Sequence, residues 1–135
     1  MRRTSRVIAA LWGCLLANAA TAVGQEEAPA VPSGLAFSLQ EYFIDMQPDG
    51  VRLARFRFVS ADLVNGIAFA QVEHDFPVLC AEYALPALVA AQEQVSQVVV
   101  SMASEAVEFG ASDPSVTQFF EAFRIESGLC IWEGF

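Results

Sequence analysis

Glu73-His74-Asp75 sets the only histidine of the chain between two acids. Imidazole is the usual general acid or base near neutral pH, and a neighbouring carboxylate can orient it. Side chains adjacent in sequence rarely face one another usefully, however. No serine or free cysteine stands in a nucleophile setting such as G-x-S-x-G. The reading adopted is a solvent-facing His74 just ahead of a helix cap. A metal centre would need further histidines or clustered carboxylates, and the acids here are scattered singly. With 16 acids in the chain, some pair must fall close by chance, so carboxylate-pair hydrolysis has no specific signal. Phosphate loops of the G-x-G-x-x-G or G-x-x-x-x-G-K-[ST] type are absent. No catalytic residue, cofactor or metal ligand is assigned.

Two other groups could recognise a ligand. Arg52, Arg55 and Arg57 form the one local positive cluster. They could grip a carboxylate or phosphate, but pairing across a hairpin with Glu41 and Asp45 is the preferred account. Trp132 could be an exposed binding aromatic; two residues from Cys130, it is expected instead to pack on a disulfide.

That disulfide follows from where the chain is expected to go. Met1 to Arg6 carry three arginines and no acid, Val7 to Leu16 are apolar, and Ala17 to Ala22 are small. A basic start, a short apolar middle and an A-x-A end describe a secretory signal peptide over residues 1–22. Cleavage is favoured after Ala20-Thr21-Ala22, with Ala17-Asn18-Ala19 the alternative. The apolar stretch is short of the roughly 20 residues that span a bilayer. Leu11-Trp12-Gly13-Cys14 resembles a lipidation site only loosely, because Trp12 is bulky where small residues are wanted. The mature chain is therefore expected to be periplasmic or secreted, with no stable membrane span. In an oxidising compartment its remaining cysteines, Cys80 and Cys130, are most simply a disulfide. Two free thiols at a reactive or metal site are the alternative, without the close C-x-x-C spacing such sites use.

Loss of the leader also sharpens the charge. The chain has seven basic residues, all arginine, and three of them lie in the leader. The mature part keeps Arg52, Arg55, Arg57 and Arg124 against all 16 acids, a formal net charge of −12. Such a surface repels nucleic acid, whose binding needs basic neutralisation of phosphates. It is read first as keeping the protein dispersed in water, with a specific basic partner as the alternative.

Residues 23–34 read as a flexible tether of acids, prolines and small residues, and residues 35–135 as a single α+β domain. Leu35 to Met46 and Val51 to Val59 are strand-like, joined at Gln47-Pro48-Asp49-Gly50 by a three-residue hairpin loop. That loop sets Tyr42 against Phe56, Ile44 against Ala54 and Glu41 against Arg57. One face then carries Tyr42, Ile44, Met46, Ala54, Phe56 and Phe58, the other Glu41, Asp45, Arg55 and Arg57. A third strand is expected at Ile67–Val72. Asp75 is read as the N-cap of a helix with Phe76, Leu79, Cys80 and Tyr83 on one stripe. Pro86 should end or kink it, leaving a second short helix over Ala87–Glu93. Val95–Met102 and Ala106–Phe109 read as strands. Asp113-Pro114 reads as the start of a third helix, with Val116, Phe119, Phe120 and Phe123 as its buried stripe. Ser127-Gly128 turns into a terminal strand, Leu129–Glu133. The expected architecture is a small antiparallel sheet with two or three helices packed on one face.

Several runs together carry a family likeness. Val107-Glu108-Phe109-Gly110, Asp113-Pro114, Thr117 to Arg124 and the closing Cys130-Ile131-Trp132-Glu133-Gly134-Phe135 resemble a family of small exported bacterial proteins known only as a domain of unknown function. Leu79-Cys80 and Arg55-Phe56-Arg57-Phe58 look similar too. The resemblance implies an exported single domain with a paired cysteine, and implies no activity and no functional residue. The sequence thus points to a periplasmic binding or accessory protein, not an enzyme, whose partner is another protein, a basic one being an option. A small hydrolase using Glu73 and His74, or an acidic inhibitor of a basic enzyme, are the alternatives.

Overall fold

In the computed structural model, which describes residues 27–64 and 66–134, Gln47-Pro48-Asp49-Gly50 closes the first hairpin. The leader read in residues 1–22, its cleavage motifs, Cys14 and residues 23–26 of the expected tether lie outside the described residues. At the turn, the Gln47 N–H donates to the Val51 carbonyl at 2.8 Å and the Gly50 N–H to the Gln47 carbonyl at 2.9 Å. Gly50 takes φ +87°, a conformation in which a Cβ is penalised. β1 (Ser38–Met46) and β2 (Arg52–Val59) consequently pair with Tyr42 opposite Phe56, Ile44 opposite Ala54 and Glu41 opposite Arg57. This is the register the turn predicts.

β3 (Gln97–Ala103), β4 (Gln118–Glu126) and β5 (Leu129–Glu133) complete a five-stranded sheet in the order β1-β2-β3-β4-β5. Its neighbours are antiparallel except β2 and β3, which run parallel. The sheet is therefore mixed, not antiparallel as expected. The expected strand at Ile67–Val72 would have supplied an antiparallel return. That stretch instead forms a 3₁₀ turn at Phe69–Gln71. The Gln71 side chain accepts from the Ala68 N–H at 2.8 Å, and Val72 N–H bonds back to Phe69. With its backbone satisfied locally, the segment has no need of a ladder, and Val72 drops into the core. Residues 60–96 then form a crossover long enough for parallel pairing.

The crossover contains one helix, residues 75–90, where two or three helices were expected. It begins at Asp75–Val78, passes through a π-helical stretch at Leu79–Ala84, and resumes as α-helix over Leu85–Ala90. Pro86 neither ends it nor starts a second helix. The Leu85 N–H reaches back five residues to the Cys80 carbonyl, and Pro86 falls in the first turn of the resumed α-helix, where a missing N–H costs little. Phe76, Leu79 and Cys80 are fully buried, as their spacing requires.

The third expected helix is a strand. Asp113 Oδ1 accepts from the Ser115 hydroxyl at 2.6 Å and the Ser115 N–H at 3.0 Å, making a turn rather than a helix start. The Thr117 N–H and carbonyl then bond to the Ser104 side chain and N–H, which launches β4 beside β3. Phe119 and Phe123 share a face at i and i+4 in a helix and in a strand alike. Phe120 decides between them: it is 61% exposed on the other face. The expected strand at Ala106–Phe109 is irregular, part of the 104–117 strap between β3 and β4.

The core lies between the helix and one sheet face. It gathers Ala54, Phe56 and Phe58 of β2, Val98, Val100 and Met102 of β3, Phe123 of β4, and Leu79, Ala84 and Leu88 of the helix. Tyr83 meets Phe58 edge-on at 5.2 Å. At the sheet edge the apolar stripe outruns the helix: Tyr42 stacks on Phe56 yet stays 39% exposed, and Met46 is exposed. From Glu27 onward the stretch read as a tether lies against this core. Glu27 bridges to Ser38, the Ala28 N–H donates to the Phe37 carbonyl, and Val31 is buried. Pro32 occupies the turn that Gly34 closes by donating to Val31, so proline lowers the entropy cost of ordering there.

Candidate functional site

Asp75 is not the cap of the helix. Its side chain is fully buried and accepts from the Ser33 N–H at 2.9 Å and the Ser33 hydroxyl at 2.5 Å. This draws one carboxylate of Glu73-His74-Asp75 inward while His74, whose side chain is 79% exposed, remains outside with Nε2 3.5 Å from Glu73 Oε1. The two acids therefore flank His74 in sequence but do not converge on it.

Arg55 and Arg57 of the arginine cluster lie on the sheet face opposite the helix, away from the core side chains Ala54, Phe56 and Phe58. Arg57 pairs with Glu41, and Arg55 with Asp45 at 2.8 Å, the cross-strand partners expected for them. Arg52 lies at the strand end, 2.7 Å from Glu93. Phe109 from the strap sits over both inner guanidinium groups, with Arg55 Cζ at 5.0 Å and Arg57 Cζ at 5.6 Å from the ring centroid. The Val107 carbonyl accepts from Arg57 Nη2 and Gln40 Nε2, each at 2.8 Å. A pocket of about 260 Å³ remains beside this cluster, with Val99, Ser101 and Phe120 among its walls. The arginines thus fasten the strap to the sheet. Further along that face, Arg124 pairs with Glu126 at 3.0 Å. Hydrogen bonding to Glu126, then its charge and that of Glu133, hold the Arg124 pKa above the ordinary arginine value. On the strap, the Ser115 hydroxyl and N–H hold the Asp113 carboxyl below the usual value of 3.8.

Cys80 and Cys130 are joined in a disulfide with Cα atoms 6.3 Å apart, linking the helix to β5. Trp132 does not close over this bridge as expected. It is 63% exposed, on the helix-side face of β5 opposite Phe123, just past the reach of the helix. Its indole N–H donates to Glu121 Oε2 at 2.6 Å. At Gly134 a Cβ would come within 2.9 Å of the indole ring, so glycine there lets the ring fold close over the backbone. The ring is exposed but held from two sides. Beside it runs a groove of about 270 Å³ with Phe69, Glu73, His74, Pro77 and Glu121 in its walls, floored by the buried Phe76 and Phe123.

Sequence reasoning missed this groove because it depends on β4. Read as a helix, residues 113–123 give Glu121 no relation to Trp132; as a strand beside β5, they place both on one face. Among the described residues no group of three His, Cys, Asp or Glu side chains stands together as a metal site, and no helix is long and apolar enough to cross a membrane.

A family model covers residues 13–135, nearly the whole chain, including the strap, β4 and the terminal Cys130–Gly134 run. The chain belongs to DUF6497, a family of unknown function. Membership in DUF6497 brings no activity with it, so the chemistry of the site rests on this chain's own residues. Comparison with curated proteins and with solved structures gives no match.

Proposed function

We propose that this DUF6497 protein is an exported, non-enzymatic binding or accessory domain whose partner is a basic protein. The observation that carries the reading is the fate of its positive charge. Arg52, Arg55, Arg57 and Arg124 are each paired with a carboxylate. Acids such as Asp62, Glu82 and Glu105 meet no arginine at ion-pair distance among the described residues. The field outside the molecule is thus that of its acid excess, which attracts a basic surface and repels an acidic one. Export is supported by the leader-like first 22 residues and by the disulfide. A non-enzymatic role is supported by the outward His74 and inward Asp75.

The test is crosslinking capture with the full chain as bait, repeated across a salt series. A basic partner is expected, with affinity falling at least tenfold between about 0.01 and 0.1 M salt, as the screening length shrinks from about 30 to about 10 Å. A neutral or acidic partner, or binding indifferent to salt, overturns the proposal. Cell fractionation checks the address: product found only inside the cell, uncleaved and reduced, would remove export.

A further inference from the structure

The groove beside Trp132 combines features that no other surface of the described residues brings together. Among the described residues the indole is the largest exposed aromatic surface, yet its N–H is committed to Glu121 and its ring is closed against Gly134. An exposed tryptophan free to rotate would lose entropy on meeting a ligand; one fixed in advance loses little. Phe69 and Pro77 give the groove apolar walls, and Glu73 and Glu121 bring carboxylates to it. Glu121 spends Oε2 on the indole, while Oε1 is bonded by no group among the described residues. No arginine contributes to the lining.

A ring face next to a carboxylate is the environment that a cation favours. The π-face attracts positive charge, tryptophan most strongly, and the carboxylate supplies a charge-assisted hydrogen bond. Among biological cations, guanidinium fits best, because a plane can stack on the indole while its edge donates to Glu121. We propose that this groove is the anchoring site of the domain, and that it takes an arginine side chain of the partner protein. The assignment rests on the reading of the molecule as a binder of basic proteins and narrows that reading to one pocket. Charge complementarity favours this occupant: the lining holds two carboxylates, Glu73 and Glu121, beside His74, and no arginine, within a chain of net charge −9.

Trp132 also provides the readout. The chain has two tryptophans, Trp12 and Trp132, so the full chain with Trp12→Phe reports on Trp132 alone. Titration with a capped Gly-Arg-Gly tripeptide should change its fluorescence to saturation, and the citrulline counterpart, uncharged but nearly isosteric, should not. Glu121→Gln should raise the midpoint by about tenfold or more, the loss of one charge-assisted contact in a partly exposed site. Glu82→Gln, which changes the net charge equally but lies outside the groove, should leave the midpoint within about twofold. Thermal melts of each variant show whether the fold persists. If Glu121→Gln unfolds the chain, Phe69→Ala serves as the second probe and should weaken binding likewise. Equal responses to the arginine and citrulline peptides would overturn the site. So would guanidinium chloride saturating the signal at the tripeptide's own midpoint, which would assign the groove to a small free cation. Retention of a salt-sensitive basic partner by Glu121→Gln would sink the groove and spare the function. Binding of the tripeptide, with no basic partner captured, would do the reverse.

Discussion

Removing the Asp75 carboxyl should release the N-terminal stretch from the domain. The group is fully buried and receives two hydrogen bonds from Ser33, at 2.9 and 2.5 Å; the Ser33 hydroxyl in turn accepts from the Leu35 N–H at 3.1 Å. A hydrogen bond to a charged group contributes roughly 1.5–3 kcal/mol when its partner is lost and the remainder stays buried. Ser33 is only half-buried, so water can re-solvate it in part and the lower end of that range applies. Asp75→Ala should therefore cost about 3 kcal/mol, a large share of the 5–15 kcal/mol typical of a domain. Asp75→Asn keeps an acceptor for the Ser33 N–H and deprives only the hydroxyl, which places it near 1 kcal/mol. Urea unfolding followed by circular dichroism measures both, and a double-mutant cycle with Ser33→Ala isolates the contact. A coupling of at least about 1 kcal/mol is expected, together with faster proteolysis between Glu27 and Phe37. Zero coupling would show that the Ser33 hydroxyl adds nothing to the contact, and an Asp75→Ala loss below about 1 kcal/mol would show that Val31 and Phe37 hold the stretch down without the acid.

Reduction of the Cys80–Cys130 bridge, which closes a loop with a separation of 50 residues, should destabilise the domain by about 4 kcal/mol on the chain-entropy estimate; denaturant midpoints with and without reductant measure it, and an unchanged midpoint would contradict it. Gly134→Ala should displace the indole and break the Trp132–Glu121 hydrogen bond with little change in melting temperature, visible as an upfield move of the indole N–H proton resonance. Asp113, hydrogen-bonded by Ser115, has its folded-state pKa lowered, so its contribution to stability is present above about 3.8 and is lost as pH falls through the lower folded value. Ser115→Ala should return the carboxyl titration, followed by carbon NMR, towards the ordinary value.

Local chemistry was legible wherever a short stretch decides its own geometry. Pro48 and Gly50 define a loop, the loop defines the register, and the register delivers the Arg57–Glu41 and Arg55–Asp45 pairs without any knowledge of the rest. Phe76, Leu79 and Cys80 likewise keep to their helical stripe. What failed depended on distant partners. Phe119 and Phe123 fit either period, and only the ladder to β3, on the far side of the strap, makes their segment a strand. Pro86 reads as a breaker until the π turn before it supplies a different bonding pattern. The tether was misjudged because its anchor, Asp75, is 42 residues from Ser33. The groove at Trp132 inherits the error in β4, since its walls come from the crossover, β4 and β5 and no single segment contains it.

Each half of the sheet can close over nearby chain, β1 with β2 through a tight loop and β4 with β5 through Ser127-Gly128, where both residues have positive φ. The boundary between the halves is of another kind. Leu53 meets Gln97 and Val59 meets Ala103 only after residues 60–96 have travelled back across the sheet, and that closure entropy is spent before any pairing is gained. Refolding speed is expected to be set along this boundary. In stopped-flow kinetics, trimming Phe56 or Val100, which pair there, should slow folding, whereas loosening the turn at Gly128 should chiefly hasten unfolding.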